Sequence, residues 1–111
     1  MKELDRWITN ERENYHPVIF AGLLHLKFVS IHPFIDGNGR TGRLIMNLAL
    51  FQDGYQLAIV PPMLRAEYND TIRQFQNEGN PEPFCNFIAE RVYETQKEIM
   101  RLLHIPFPDT I

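Results

Sequence analysis

The sequence predicts an all-α fold: a compact bundle of about five helices around two buried central helices, which a loop joins. Three observations predict it. Apolar residues recur at helical spacing in five separate stretches. Two of these, Val18 to Val29 and Leu44 to Phe51, are apolar on most faces, as helices at the centre of a bundle must be. A stretch holding Pro33 and three glycines, with no sustained alternation of apolar and polar residues, separates them.

Lys2 to Glu13 places Leu4, Trp7 and Ile8 on one face with charges between, an amphipathic first helix that Asn14 and Tyr15 end. Pro17 suits the first turn of a second helix, running to about Ser30. The third is expected from Arg40 to about Gln52, with Gly54 as its C′ residue. Tyr55 to Met63 contains Pro61-Pro62 and reads as an extended connection, with Leu57 to Val60 a short strand-like piece. A fourth helix follows from about Leu64 to Asn77, with Tyr68, Ile72 and Phe75 on one face. Gly79 to Pro83 breaks the chain. The fifth helix, about Pro83 to Leu103, spaces Phe84, Phe87, Ile88, Val92, Ile99 and Leu102 along a stripe. Pro106 and Pro108 mark a tail over 105–111. No repeats or low-complexity segments appear, so residues 1–111 read as one domain.

Composition narrows the function. The 111 residues are 44% hydrophobic and 23% charged, with 8 Phe, which is a globular composition. Net charge is −3 and no basic stripe appears, which argues against nucleic acid as a partner. No apolar run reaches membrane-spanning length and no signal-peptide pattern opens the chain, so no membrane association is expected and the cytoplasm is the default compartment. The abrupt start also fits a piece of a longer chain. Cys85 is the sole cysteine and sits among Phe84, Phe87 and Ile88, a structural thiol rather than a nucleophile. His16 and His104 lie at helix edges, and no Cys/His spacing points to zinc. His25, on the apolar second helix, reads as a hydrogen-bonded core histidine.

The chemistry concentrates in Ile31 to Arg43. Pro33 restricts His32 to extended backbone and should stop the preceding helix. Gly37 and Gly39 flank Asn38, and all three tolerate φ > 0, so the turn can aim successive N–H groups into an anion-binding nest. From Arg40 the pattern turns helical, and the nest would open onto a helix N-terminus with its positive dipole end. Arg40 and Arg43 share a face of that first turn and can fork onto phosphate oxygens. Asp36 makes sense as a ligand to Mg²⁺ bridging the phosphates. His32 is the group here that can accept a proton near neutral pH. Gly37 to Gly42 also spells G-x-G-x-x-G, the dinucleotide fingerprint. That reading needs a strand before and a second strand after, and neither flank supplies one.

The run His32-Pro33-Phe34-Ile35-Asp36-Gly37-Asn38-Gly39-Arg40-Thr41-Gly42-Arg43 resembles the signature of the Fic family, H-P-F-x-[D/E]-G-N-G-R-x-x-R, at every fixed position. The likeness continues through His16-Pro17-Val18, Ala21 and His25 upstream. Downstream it takes in Leu44 to Asn47, Gly54-Tyr55, Asn77-Glu78-Gly79, Pro83-Phe84 and Phe87-Ile88-Ala89. The resemblance implies a Fic/Doc-like helical fold and a transferase moving AMP from ATP onto a Ser, Thr or Tyr hydroxyl of a protein target. It implies that His32 deprotonates that hydroxyl, that Asp36 binds Mg²⁺, and that Gly37, Asn38 and Gly39 cradle the phosphates. Arg40 and Arg43 would hold the β- and γ-phosphates, and Thr41 and Gly42 complete the phosphate-binding stretch. Tyr68 and Asn77 fall near where the family contacts adenosine, one residue out of step with each other. A homodimer is compatible with the resemblance.

Two departures bear on activity. Nothing before Trp7 can form the β-hairpin flap with which family members align a target segment. The family's inhibitory helix carries [S/T]-x-x-x-E-[G/N]. Thr9 to Asn14 fits that spelling, but it lies on the first core helix, too close in sequence to His32, and reads as coincidence. Two alternatives stay open: a nucleotide-binding module without efficient transfer, and transfer of another phosphate-containing group. The intact G-N-G-R-x-x-R favours AMP over relatives whose motif departs there.

Overall fold

The computed structural model describes residues 2–31 and 37–104. Five α-helices follow one another: α1 (Lys2–Glu11), α2 (Pro17–Ile31), α3 (Asn38–Gln52), α4 (Arg65–Glu78) and α5 (Glu82–Leu102). There is no strand among the described residues. The stretch at Leu57 to Val60 has no regular secondary structure, so the strand-like piece expected there is not formed. Short 3-10 turns at Arg12–Asn14 and Pro62–Leu64 lead out of α1 and into α4. No helix is long and apolar enough to cross a membrane, among the described residues.

Helix α2 is the central post. Val18, Phe20, Ala21, Leu24, Leu26, Phe28 and Val29 are buried on it, and α1, α3, α4 and α5 all pack against it. Its entry is set by His16, whose carbonyl accepts the Phe20 N–H at 2.8 Å and whose Nδ1 accepts the Val18 N–H at 3.2 Å. Pro17 follows at the first helical position, where its missing N–H leaves no bond unmade. Trp7 of α1 stacks on Phe20 with centroids 5.2 Å apart. From the far side, Phe84 and Ile88 of α5 reach the same core and are fully buried. Each such side chain contributes about 1.5–3 kcal/mol by leaving water.

Helix α3 is central on one side only. Met46, Ala49 and Leu50 are buried, whereas Leu44, Leu48 and Phe51 are 66%, 55% and 70% exposed. Those three, at i, i+4 and i+7, form an apolar stripe on the face turned from α2, so α3 is not enclosed as its composition predicts. Composition reports that a residue can be buried, not that a neighbour is there to bury it. The fifth helix differs likewise: its stripe is buried through Val92, and Leu102 is 63% exposed beyond the bundle.

The C-terminus of α3 closes as the sequence predicts. Gly54 adopts φ +82°, its N–H bonds to the Phe51 carbonyl, and the Tyr55 N–H reaches back to Leu50. This satisfies carbonyls that have no partner within the helix.

Candidate functional site

Helix α3 begins two residues earlier than the sequence pattern indicates. Gly37, at φ +80°, makes the reversal, and its carbonyl accepts the Thr41 N–H at 2.9 Å. Asn38 and Gly39 therefore lie in the first helical turn rather than in a loop nest, and the positive φ of this run belongs to Gly37. The N–H groups of Gly39 and Arg40 thus have no helical carbonyl to donate to, and they sit at the positive end of the helix dipole.

Arg40 is exposed beside these amides. Arg43, half-buried, folds back along the helix: a Cβ built on Gly39 would lie 3.4 Å from its Nη1. The guanidinium therefore lies across the first turn. Its Nη1 donates to the Tyr68 hydroxyl of α4 at 3.2 Å, and its Cζ stands 5.6 Å from the centroid of that ring. Tyr68 is only 3% exposed, and its oxygen lies 2.6 Å from His25 Nε2 on α2. His25 is fully buried, stacked on Phe84 with centroids 4.8 Å apart.

Counting donors fixes the direction of this chain. If Tyr68 accepts from Arg43 and donates to His25 Nε2, the one unpaired atom is His25 Nδ1. The opposite tautomer would leave the tyrosine hydrogen without an acceptor as well. The Arg43-to-Tyr68-to-His25 direction is the better satisfied. Burial, and then the Arg43 charge, lower the His25 pKa from 6.5 to about 3, so the ring is neutral at ordinary pH. Burial also raises the pKa of Tyr68, against the opposing hydrogen bond from Arg43, so the phenol keeps its proton. His25 is thus the bonded core histidine its setting predicts. The Cys85 thiol, pushed up to about 11 by burial, is no thiolate.

Gly42 has a packing reason to lack a side chain. A Cβ there would come 2.9 Å from Val29 Cγ1 and 3.5 Å from His25 Nε2. Asn77 is exposed on the last turn of α4, nine residues from Tyr68 and so half a turn out of phase with it; the helix does not bring the two together on one face. His32 and Asp36 lie outside the described residues. Glu13 is exposed in the 3-10 turn after α1, not carried on that helix, and among the described residues Arg43 has no ion pair. Sequence reasoning missed the coupling of His25, Tyr68 and Arg43, which come from three different helices. The one signal was a polar ring on an apolar helix, which demands a buried partner.

Residues 1–50 match the Fic/DOC family. The chain is 45% identical over 96 residues to a protein called Protein adenylyltransferase Fic from Drosophila grimshawi, covering 86% of this chain and 20% of that protein. The protein of the same name from Drosophila melanogaster is 44% identical over 96 residues, covering 86% of this chain and 19% of that one. The fold superimposes on Fic-1 from C. elegans with a TM-score of 0.81 and 34% identity, covering 87% of this chain and 29% of the other. The chain thus spans about a fifth of the length of the curated relatives it matches.

Proposed function

The chain belongs to the Fic/DOC family, and from that premise we propose that it is the core of a protein adenylyltransferase, moving AMP from ATP onto a Ser, Thr or Tyr hydroxyl of a protein target. The observation that carries this reading is the start of α3. Two amides and the guanidinium of Arg43 converge on one helix N-terminus, an arrangement suited to phosphate oxygens.

In this reading His32 takes the proton of the target hydroxyl as its oxygen bonds to the α-phosphorus. The bond from that phosphorus to the oxygen bridging to the β-phosphate breaks, and pyrophosphate leaves. Gly37, Asn38 and Gly39 cradle the phosphates through the backbone, while Arg40 and Arg43 hold the β- and γ-phosphates. Transfer of this kind asks a protein mainly for positioning and charge neutralisation. Among the described residues no cluster of three or more His, Cys, Asp or Glu gathers. Mg²⁺ bound through one carboxylate and the phosphates needs none, and Asp36 is the residue that would hold it. The ion would neutralise charge on the phosphates.

ATP labelled at the α- or the γ-phosphate tests the proposal. The α-label should appear on protein and the γ-label should leave in pyrophosphate. The γ-label on protein would mean phosphate transfer, and nucleotide binding without any label would mean a binding module. In His32→Ala, α-label transfer should fall by roughly 10²–10⁴-fold, the usual weight of a general base, with ATP affinity nearly intact. Undiminished transfer would remove His32 from that role.

A further inference from the structure

Arg40 and Arg43 are equivalent in the motif but not in the fold. Arg40 is exposed, whereas Arg43 is tied into the core through two buried side chains. Long arginine side chains are mobile in water, and a guanidinium held in one orientation has already lost much of the freedom that phosphate binding would otherwise remove. Here the tether starts from a hydroxyl that is itself fixed. The Tyr68 ring lies against Phe84 and Phe87, with centroids 5.9 and 6.2 Å away. Its oxygen is held at 2.6 Å by His25, whose ring Phe84 stacks upon. Glycine at position 42 makes room beside this chain of bonds: a Cβ there would stand 2.9 Å from Val29 Cγ1, while its distance to His25 Nε2, 3.5 Å, is ordinary contact. The bond to Tyr68 uses one guanidinium nitrogen, leaving the other N–H groups to reach a ligand.

We propose that Tyr68, backed by His25, is a positioning residue that orients the Arg43 guanidinium for the terminal phosphates of the nucleotide, and that it acts without itself touching the nucleotide. The inference rests on the nucleotide-site reading above. It gives the buried Tyr68 and His25 one shared task and makes Arg43 the geometric clamp, with Arg40 supplying charge.

The experiment is a ladder of nucleotides, AMP, ADP and α,β-methylene ATP with magnesium, titrated calorimetrically into the full chain and into Tyr68→Phe, Arg43→Ala and the double variant. Tyr68→Phe deletes one oxygen and keeps the ring packed. The parent should bind the triphosphate more tightly than AMP. Tyr68→Phe should shrink that preference about tenfold, on the scale of a hydrogen bond to a charged group, with AMP affinity unchanged. Adding Tyr68→Phe to Arg43→Ala should change nothing more, because the two act as one unit. AMP binding serves as the internal check on folding. Loss of AMP and triphosphate affinity in equal measure would show a merely structural role and overturn the proposal. So would an unchanged preference in Tyr68→Phe beside a strong preference in the parent, while leaving the nucleotide site intact. A parent that binds all three nucleotides alike would overturn the assignment of Arg43, and the tether with it.

Discussion

At Gly42 two opposing effects can be weighed. Alanine would improve helix propensity by about 1 kcal/mol. Its Cβ, however, would stand 2.9 Å from Val29 Cγ1, and valine is stiff at χ1 and sits on the most enclosed helix. Overpacking of this kind costs about 1–3 kcal/mol, so the clash should win. Gly42→Ala is expected to lower stability by about 1 kcal/mol in urea unfolding, and Val29→Ala in the same chain should return part of the loss. An unchanged or raised midpoint in Gly42→Ala would show that α2 and α3 slide apart freely. The glycines also mark how far single residues are legible. That position 37 needs a left-handed residue is readable from Gly-Asn-Gly, and Gly37 has that conformation. That position 42 must be empty is not, because the reason is Val29, thirteen residues upstream on another helix. Tyr68 and Asn77 fall under the same limit: which way α4 faces follows from the core it meets.

The connection from α3 to α4 has no regular structure before the 3-10 turn at Pro62–Leu64, yet one side chain organises it. Asn47 Oδ1 accepts the Ala58 N–H at 2.8 Å, and its Nδ2 donates to the Ala58 carbonyl at 3.3 Å. The amide thus does for one residue what a neighbouring strand would do, satisfying both backbone groups of Ala58 without a sheet. Ala58 is only 2% exposed, so its backbone groups depend on these bonds. Asn47→Leu would strand both groups, at about 1–3 kcal/mol for each buried polar group left unmade. Hydrogen exchange at the Ala58 amide should accelerate sharply, with the α2 amides slowed or speeded only as global stability dictates. Protection at Ala58 that survives the substitution would mean another acceptor serves it. Helix number and order were legible because five amphipathic or apolar periods are separated by Pro and Gly. Boundaries were less so. At α1 the regular helix gives way at Glu11 to a 3-10 turn, where Arg12 reaches Gln52 at 3.1 Å and pairs with Asp53 at 3.4 Å. Contacts forty residues apart leave no local mark in the sequence.

For the molecule as a whole, the buried imidazole at the crossing of α2, α4 and α5 ties cooperative stability to pH. The unfolded chain takes up a proton at His25 near pH 6.5, whereas the folded chain resists it until about pH 3. Because the folded pKa is the lower one, protons favour unfolding. The stability at stake is fully present above about pH 6.5 and is lost as pH falls towards 3, at roughly 1.4 kcal/mol per pH unit. The chain has three other histidines, so the share of the buried ring is the difference between the parent and a variant that lacks it, read from pH 6 to 5, above the main carboxylate range. Urea unfolding of the parent across that interval should show stability falling with the slope of about one proton bound on unfolding. His25→Gln keeps a polar group in place but cannot titrate. Whatever its absolute stability, its slope from pH 6 to 5 should be shallower than the parent's by about one proton. A parent already flat in that interval, or a variant with the parent's slope, would mean that His25 accepts its proton within the fold and that the bond between Tyr68 and His25 runs in the opposite direction.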